Sequence, residues 1–265
     1  MTTPPLSAGI AGIGFWARGL PSWQDACAYL ADGTRPAGAP RRPSPQLLAP
    51  NERRRAPDTV AVALEVALAA CDAAGRDPAT LSSVFASTHG DLDITDYMCG
   101  ILASQPRSLS PTRFHNSVHN AAAGYWTIGA GAMAPATAIS AYDASFAQGL
   151  LEALAQLATG TEAVLLVACD GEASGPLAQV SPSEGLLGAA LLLVRDPASG
   201  MPRVRVGMEE LSAGDVSLDG PLSLLLSGNA MAPLLPLFEA LALRRTHAML
   251  GAGNGQALRI AIAHE

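Results

Sequence analysis

Between Phe114 and Asp170 the chain reads as helix, strand, tight elbow, helix, strand, and the elbow carries a carboxylate. Ala136-Thr-Ala-Ile-Ser-Ala141 is a short β-favouring run. Ser145–Thr159 spaces Phe146, Leu150, Leu151, Leu154 and Leu157 mostly three or four apart, which predicts a buried helix. Only Tyr142-Asp143-Ala144 lies between them. A strand that turns abruptly into a helix aims the intervening side chain at the helix N-terminus, where free N–H groups favour negative charge. Cysteine and serine nucleophiles exploit the same geometry. Here the position belongs to Asp143.

The rest of the chain supplies partners for this unit. Gly9–Leu20 reads as an apolar strand whose Ile10–Trp16 run is continuously rather than alternately hydrophobic, which suits a central strand covered on both faces. Residues 31–50 are rich in Pro, Gly and Ala and read as a surface loop, with Asn51 as a helix N-cap at its end. A helical stripe through Val62, Val66, Ala69 and Ala70 predicts a helix over Asp58–Ala74, and Leu81–Ser87 reads as a strand ended by His89-Gly90. Asp91–Ser104 is a further helix, and Ala163–Ala168 and Leu186–Val194 are buried strands. Beyond them stand Pro202–Met208, a helix around Met231–Leu243, and Leu258–Ala263, with Gly251-Ala-Gly-Asn-Gly255 as a helix-to-strand turn. The expected class is α/β, with five strands in a mixed sheet covered by helices and a short C-terminal α/β extension. The whole of 1–265 reads as one domain, its core at about 8–195 and its extension at 196–265.

Composition narrows the function classes. In 265 residues all sixteen basic side chains are arginine, so lysine Schiff-base and Ser-Lys chemistry are excluded. The net charge of −7, with basic runs only at Arg41-Arg42 and Arg53-Arg54-Arg55, argues against nucleic-acid binding. No apolar stretch approaches the roughly 20 residues of a spanning helix, and Met1-Thr-Thr-Pro-Pro lacks the pattern of a signal peptide. The expected location is cytoplasmic. Cys27, Cys71, Cys99 and Cys169 have no metal-type spacing, lie in apolar or helical surroundings and read as buried free thiols.

Several local signals admit more than one reading. Gly9, Gly12 and Gly14 do not have the G-x-G-x-x-G spacing of a nucleotide loop, and close strand packing is the reading adopted. His115 and His119 are four apart and would share a helical face, but no third metal ligand is near, so hydrogen-bonded histidines are expected and neither metal nor cofactor is. Asp143 is a general base, a nucleophile or a helix cap; the cap is the reading adopted. Ser145 lacks a G-x-S-x-G context and is read as a small packing residue.

Three words of sequence, Phe114-His-Asn-Ser-Val-His-Asn-Ala-Ala-Ala-Gly-Tyr-Trp126, Ala134-Pro-Ala-Thr-Ala-Ile-Ser-Ala-Tyr-Asp-Ala-Ser145 and Val164-Leu-Leu-Val-Ala-Cys-Asp170, resemble the N-terminal half of the β-ketoacyl synthases of the thiolase superfamily. In that family the elbow reads roughly Asp-Thr-Ala-Cys-Ser-Ser, so the resemblance places Asp143 on the nucleophilic cysteine. The similarity extends to the short, cysteine-less chain-length-factor-like subunits of aryl polyene and related polyketide systems.

The resemblance implies a subunit that is not catalytic alone. It would form a heterodimer with an active β-ketoacyl synthase and shape the pocket in which the chain grows. Acyl carrier protein would be engaged mainly through that partner, because two acidic surfaces repel. Pairing would run along the strand before the elbow, Thr137–Ala141, with Thr137 and Ile139 as interface residues. The helix after Phe114 would flank the acyl tunnel with Val118, Ala122, Tyr125, Trp126, Gly129 and Met133, a stripe that equally suits a core. Asp143 is also a poor stand-in for the glutamine of malonyl-decarboxylating synthases. At about 4 Å from a malonyl carboxylate it would cost about 4 kcal/mol at an effective dielectric of about 20. Two alternatives stay open: a self-sufficient acyl-transfer or condensing enzyme using Asp143 with His115 or His119, and a scaffold that only stabilises the synthase.

Overall fold

The computed structural model describes residues 6–212 and 214–264. In chain order its elements are β1 (Leu6–Ala17), α1 (Trp23–Asp32), α2 (Pro50–Arg55), α3 (Asp58–Ala74), β2 (Ser82–Ala86), α4 (Leu92–Ser104), α5 (Pro111–Asn116), α6 (Ala121–Ala130) and β3 (Ala136–Ile139). They continue with α7 (Ser145–Ala158), β4 (Ala163–Asp170), β5 (Leu187–Val194), β6 (Arg203–Glu210), α8 (Pro221–Leu225), α9 (Leu235–Ala242), β7 (His247–Gly253) and β8 (Gln256–Ala263).

All five expected strands form, but the sheet has eight strands and not five, in the order β3-β2-β4-β5-β1-β6-β8-β7. The C-terminal strands extend the same sheet. β1 is long enough to serve two neighbours: Leu6–Gly9 pairs with β6, and Gly9–Ala17 pairs with β5 across a register shift between Ile10 and Gly12. A bulge of this kind bends the strand and with it the sheet. Its two ends stand at opposite limits of the strand order, yet the Gln148 amide of α7 donates to the Ala252 carbonyl of β7 at 2.7 Å.

The central strands alternate between two cores, as doubly covered strands do. Val164, Leu166 and Ala168 of β4 join a core with α7, α9 and the C-terminal strands. Leu165, Val167 and Cys169 join the other, under α3 and α6. The glycines of β1 set how near α3 lies: a Cβ on Gly12 would collide with the Ala70 carbonyl, and one on Gly14 with the Val66 carbonyl. Strand packing accounts for both, as expected, and they form no phosphate loop.

Several local expectations are corrected. Asn51 does not cap α2; the cap is Ala49, because Pro50 supplies a pre-set first helical residue. The segment from Phe114 to Trp126 is not one helix, since α5 ends at Asn116 and α6 begins at Ala121. Gly251–Gly255 is no helix-to-strand turn but the close of the β7–β8 hairpin, with Asn254 and Gly255 at φ of 52° and 70°. Two left-handed residues are what a tight hairpin turn demands.

Candidate functional site

β3 is the end strand of the sheet, parallel to β2 through Ser83↔Ala136 to Ala86↔Ile139, and its other edge meets no strand among the described residues. Past Ile139 the chain makes the expected elbow. A 3₁₀ turn over Tyr142–Ala144 leads directly into α7. The residue under backbone strain is Tyr142, at φ 55° with a mostly exposed ring, while Asp143 beside it is exposed.

The cap reading of Asp143 does not hold, because α7 has no side-chain cap and Asp143 makes no hydrogen bond among the described residues. Ser145 holds the turn instead. Its buried hydroxyl accepts from the Ala141 N–H at 2.9 Å and donates to the Tyr142 carbonyl at 2.6 Å. Thr88 adds a second tie, donating its hydroxyl to the Tyr142 carbonyl at 3.2 Å, while its own carbonyl accepts from the Ser140 hydroxyl at 3.0 Å.

The histidines make their contacts with groups other than Asp143. Because the helix breaks between them, His115 and His119 share no helical face. The exposed His115 ring packs edge-on against Tyr125, while His119 Nε2 lies 2.8 Å from the Ser87 carbonyl oxygen. Neither is hydrogen-bonded to Asp143.

Of the proposed tunnel residues, Trp126 is fully buried against Phe85, and its indole N–H lacks a partner among the described residues. Ala122 and Tyr125 pack partly against the same core, and the Tyr125 hydroxyl donates to Asn116 Oδ1 at 3.0 Å. Gly129 lies close to Leu47. Val118 and Met133 are exposed, Met133 at 95%, with the neighbouring Ile128 at 79%. Thr137 and Ile139 are half-buried on β3.

The most tightly held carboxylate was not singled out by sequence reasoning. Asp170, fully buried at the end of β4, accepts from the Ser87 hydroxyl at 2.7 Å, from the Thr88 N–H at 3.0 Å and from the His89 N–H at 3.4 Å. Burial pushes its carboxyl above the usual range, and these donors only partly offset that. It therefore anchors the β2–α4 loop from which Thr88 reaches the elbow. A carboxylate closing an apolar run, Val164 to Cys169, was the available signal. Of the four free thiols, burial raises Cys71 to about 12 and pushes Cys169 up as well, whereas Cys27 is only half-buried and Cys99 is exposed, so the cysteines are not uniformly buried as expected.

Two cavities open beside these elements. One of about 720 Å³ lies against the elbow, bounded by Ile139, Ser140, Gln148 and Leu151 and by Ala252 and Gly253 of β7. The other, about 670 Å³, lies over the β2–α4 loop and is lined by His89, Asp91, Asn116 and Glu172 together with Arg18, Arg55 and Arg113. Among the described residues no helix is long and apolar enough to cross a membrane.

A family model for the β-ketoacyl synthase N-terminal domain matches residues 23–214. No curated protein matches the sequence. Among solved structures, the fold superposes with a TM-score of 0.76 and 23% identity on a chain from the complex of the ketosynthase ApeO with its chain length factor ApeC from Xenorhabdus doucetiae, over 97% of this chain and 99% of that one. It superposes equally, at 0.76 with 10% identity over 99% and 100%, on a chain from AntDE:AntF, a type II polyketide synthase acyl-carrier protein with its ketosynthase bound to the hexaketide. The ishigamide ketosynthase/chain length factor gives 0.71 with 14% identity over 97% and 99%. At these identities the likeness is one of fold.

Proposed function

The chain belongs to the β-ketoacyl synthase N-terminal-domain family, and from that premise we propose that it is a chain-length-factor-like subunit, pairing with an active ketosynthase in aryl polyene or polyketide biosynthesis. The observation that carries this reading is the free edge of β3, preceded in the chain by exposed Ile128 on α6 and exposed Met133 on the segment leading into the strand. A strand edge offers unpaired N–H and C=O groups, and natural proteins charge, cover or pair such edges. This one carries no charge between Ala136 and Ile139 and has large apolar side chains near it in the chain, so a partner subunit is its natural cover. Complexes of ketosynthase with chain length factor among the fold relatives support the same choice of partner.

The role is steric. An exposed carboxylate at position 143 is a poor acyl nucleophile, and neither His115 nor His119 is hydrogen-bonded to it. The complex would take acyl carrier protein through the ketosynthase, with the partner's cysteine performing the chemistry. Val118 and Met133 face outward and are offered as tunnel or interface contacts. Trp126 would act on the tunnel only through the packing of α6. The protein is assigned to the cytoplasm, where that substrate supply lies.

Co-expression with a candidate ketosynthase, copurification and condensation assays test the reading. A stoichiometric complex that extends chains only when both subunits are present is expected. A protein that purifies alone and turns over acyl-carrier substrates would overturn it and restore the enzyme reading.

A further inference from the structure

The cavity of about 670 Å³ has the size of a small-molecule site, for which roughly 300–1,000 Å³ is usual. Its charges are unequally committed. Asp58 is paired to Arg42 at 2.6 Å, Asp91 takes the Thr59 hydroxyl at 2.9 Å and the Ile94 N–H at 3.0 Å, and Asp93 stands 3.9 Å from Arg113. Arg18 and Arg55 have no hydrogen-bonding or ionic partner among the described residues, and on the acidic side only Glu172 is equally uncommitted.

Neutral donors complete the wall. Asn116 is 4% exposed, and because its Oδ1 is engaged by the Tyr125 hydroxyl, its amide nitrogen is left as a donor toward the cavity it lines. The Ser174 hydroxyl is buried at the same cavity and makes no hydrogen bond among the described residues. A buried polar atom without a partner costs free energy that a polar ligand recovers. A hydrocarbon chain would leave every one of these groups unsatisfied, so the wall is unsuited to a growing acyl chain.

We infer that this cavity binds a small polar anion, a metabolite whose carboxylate or phosphate head is held by Arg18 and Arg55 and whose hydroxyl or amide groups meet Asn116, Ser174 and Glu172. Guanidinium forks match both head groups, often bidentately. The inference goes beyond the pairing proposed above and stands or falls without it.

Calorimetric titration of the full chain with inorganic phosphate and, separately, with malonate is the test. Saturable binding of one of them is expected, and which one binds identifies the head group. Arg55→Gln should weaken it at least about ten-fold, the worth of one charge-assisted contact. Glu172→Gln should tighten it by removing the opposing charge. Arg259→Gln, an exposed change on β8, is the control for net charge and should leave it unaltered. Absence of saturation with both anions at millimolar concentration would overturn the site, as would equal weakening by Arg55→Gln and Arg259→Gln.

Discussion

Ser145 Oγ lies 2.6 Å from the Tyr142 carbonyl oxygen, so the first residue of α7 reaches back over the elbow and ties the strained residue to the helix it precedes. The same oxygen receives the Ala141 N–H, and both strand-side and helix-side backbone depend on it. Tyr142, at φ 55°, holds a conformation that side-chain-bearing residues adopt at a cost of about 1–2 kcal/mol. Ser145→Ala removes two bonds from this turn and should lower unfolding stability by about 1–2 kcal/mol in urea titrations. An unchanged midpoint would mean that the Thr88 ties alone hold the elbow.

Asp143→Asn separates geometry from chemistry. The side chain is exposed and unbonded among the described residues, so stability should stay within about 0.5 kcal/mol, as for surface substitutions generally. Condensation by the complex with a ketosynthase should be unchanged. A loss of condensation in a complex that still assembles would give Asp143 a direct part in the reaction.

Those two residues also show where sequence was legible and where it was not. The strand–elbow–helix order came from local apolar spacing, and it put the turn within Tyr142–Ala144 as found. Which side chain tied the turn was not readable, because a carboxylate and a hydroxyl are both good caps and only three-dimensional direction separates them. The split of Phe114–Trp126 into α5 and α6 was hidden for a related reason: Ser117 to Asn120 carry no Pro or Gly to break a helix. Trp126 at helical spacing announced a buried stripe, and what that stripe faces is a long-range property, here Phe85 of β2. Strands β6 to β8 were underestimated because they join the sheet through the pairing of β6 with β1, which spans most of the chain, with β8 and β7 added beyond β6. Asn254-Gly255, a strong hairpin signal, was the missed cue for β7.

Asp170 should give stability a pH dependence of defined sign. Its folded-state carboxyl is raised by burial above the ordinary value of 3.8, so the folded protein holds this proton more tightly than the unfolded chain. The contribution is then fully present below the ordinary value and is lost as pH rises through the raised one. Urea unfolding of the wild type and of Asp170→Asn across that acidic-to-neutral window should show the wild type losing stability relative to the variant as pH rises. Parallel curves would mean that the Ser87 and Thr88 donors cancel the burial cost.

Gly14 tests the closeness of β1 and α3. A methyl group there meets the Val66 carbonyl, which belongs to a helix backbone that cannot swing aside as a side chain would. Gly14→Ala should cost about 2–3 kcal/mol by overpacking, read as a lowered unfolding midpoint. Gly207→Ala on β6, where a Cβ meets nothing, is the control and should cost under about 1 kcal/mol.

The pairing edge is best tested without touching β3 itself, since a change there would confound folding with assembly. Ile128 and Met133 are 79% and 95% exposed, so Ile128→Glu with Met133→Glu should leave the isolated chain's unfolding within about 0.5 kcal/mol per site. In a ketosynthase complex the same two carboxylates would be desolvated without partners. Charge buried unpaired is strongly destabilising, so association should weaken by at least about 100-fold, roughly 2.7 kcal/mol, in titration or size-exclusion measurements. A double variant that folds and still binds at wild-type strength would place the interface away from β3 and leave its free edge to some other cover.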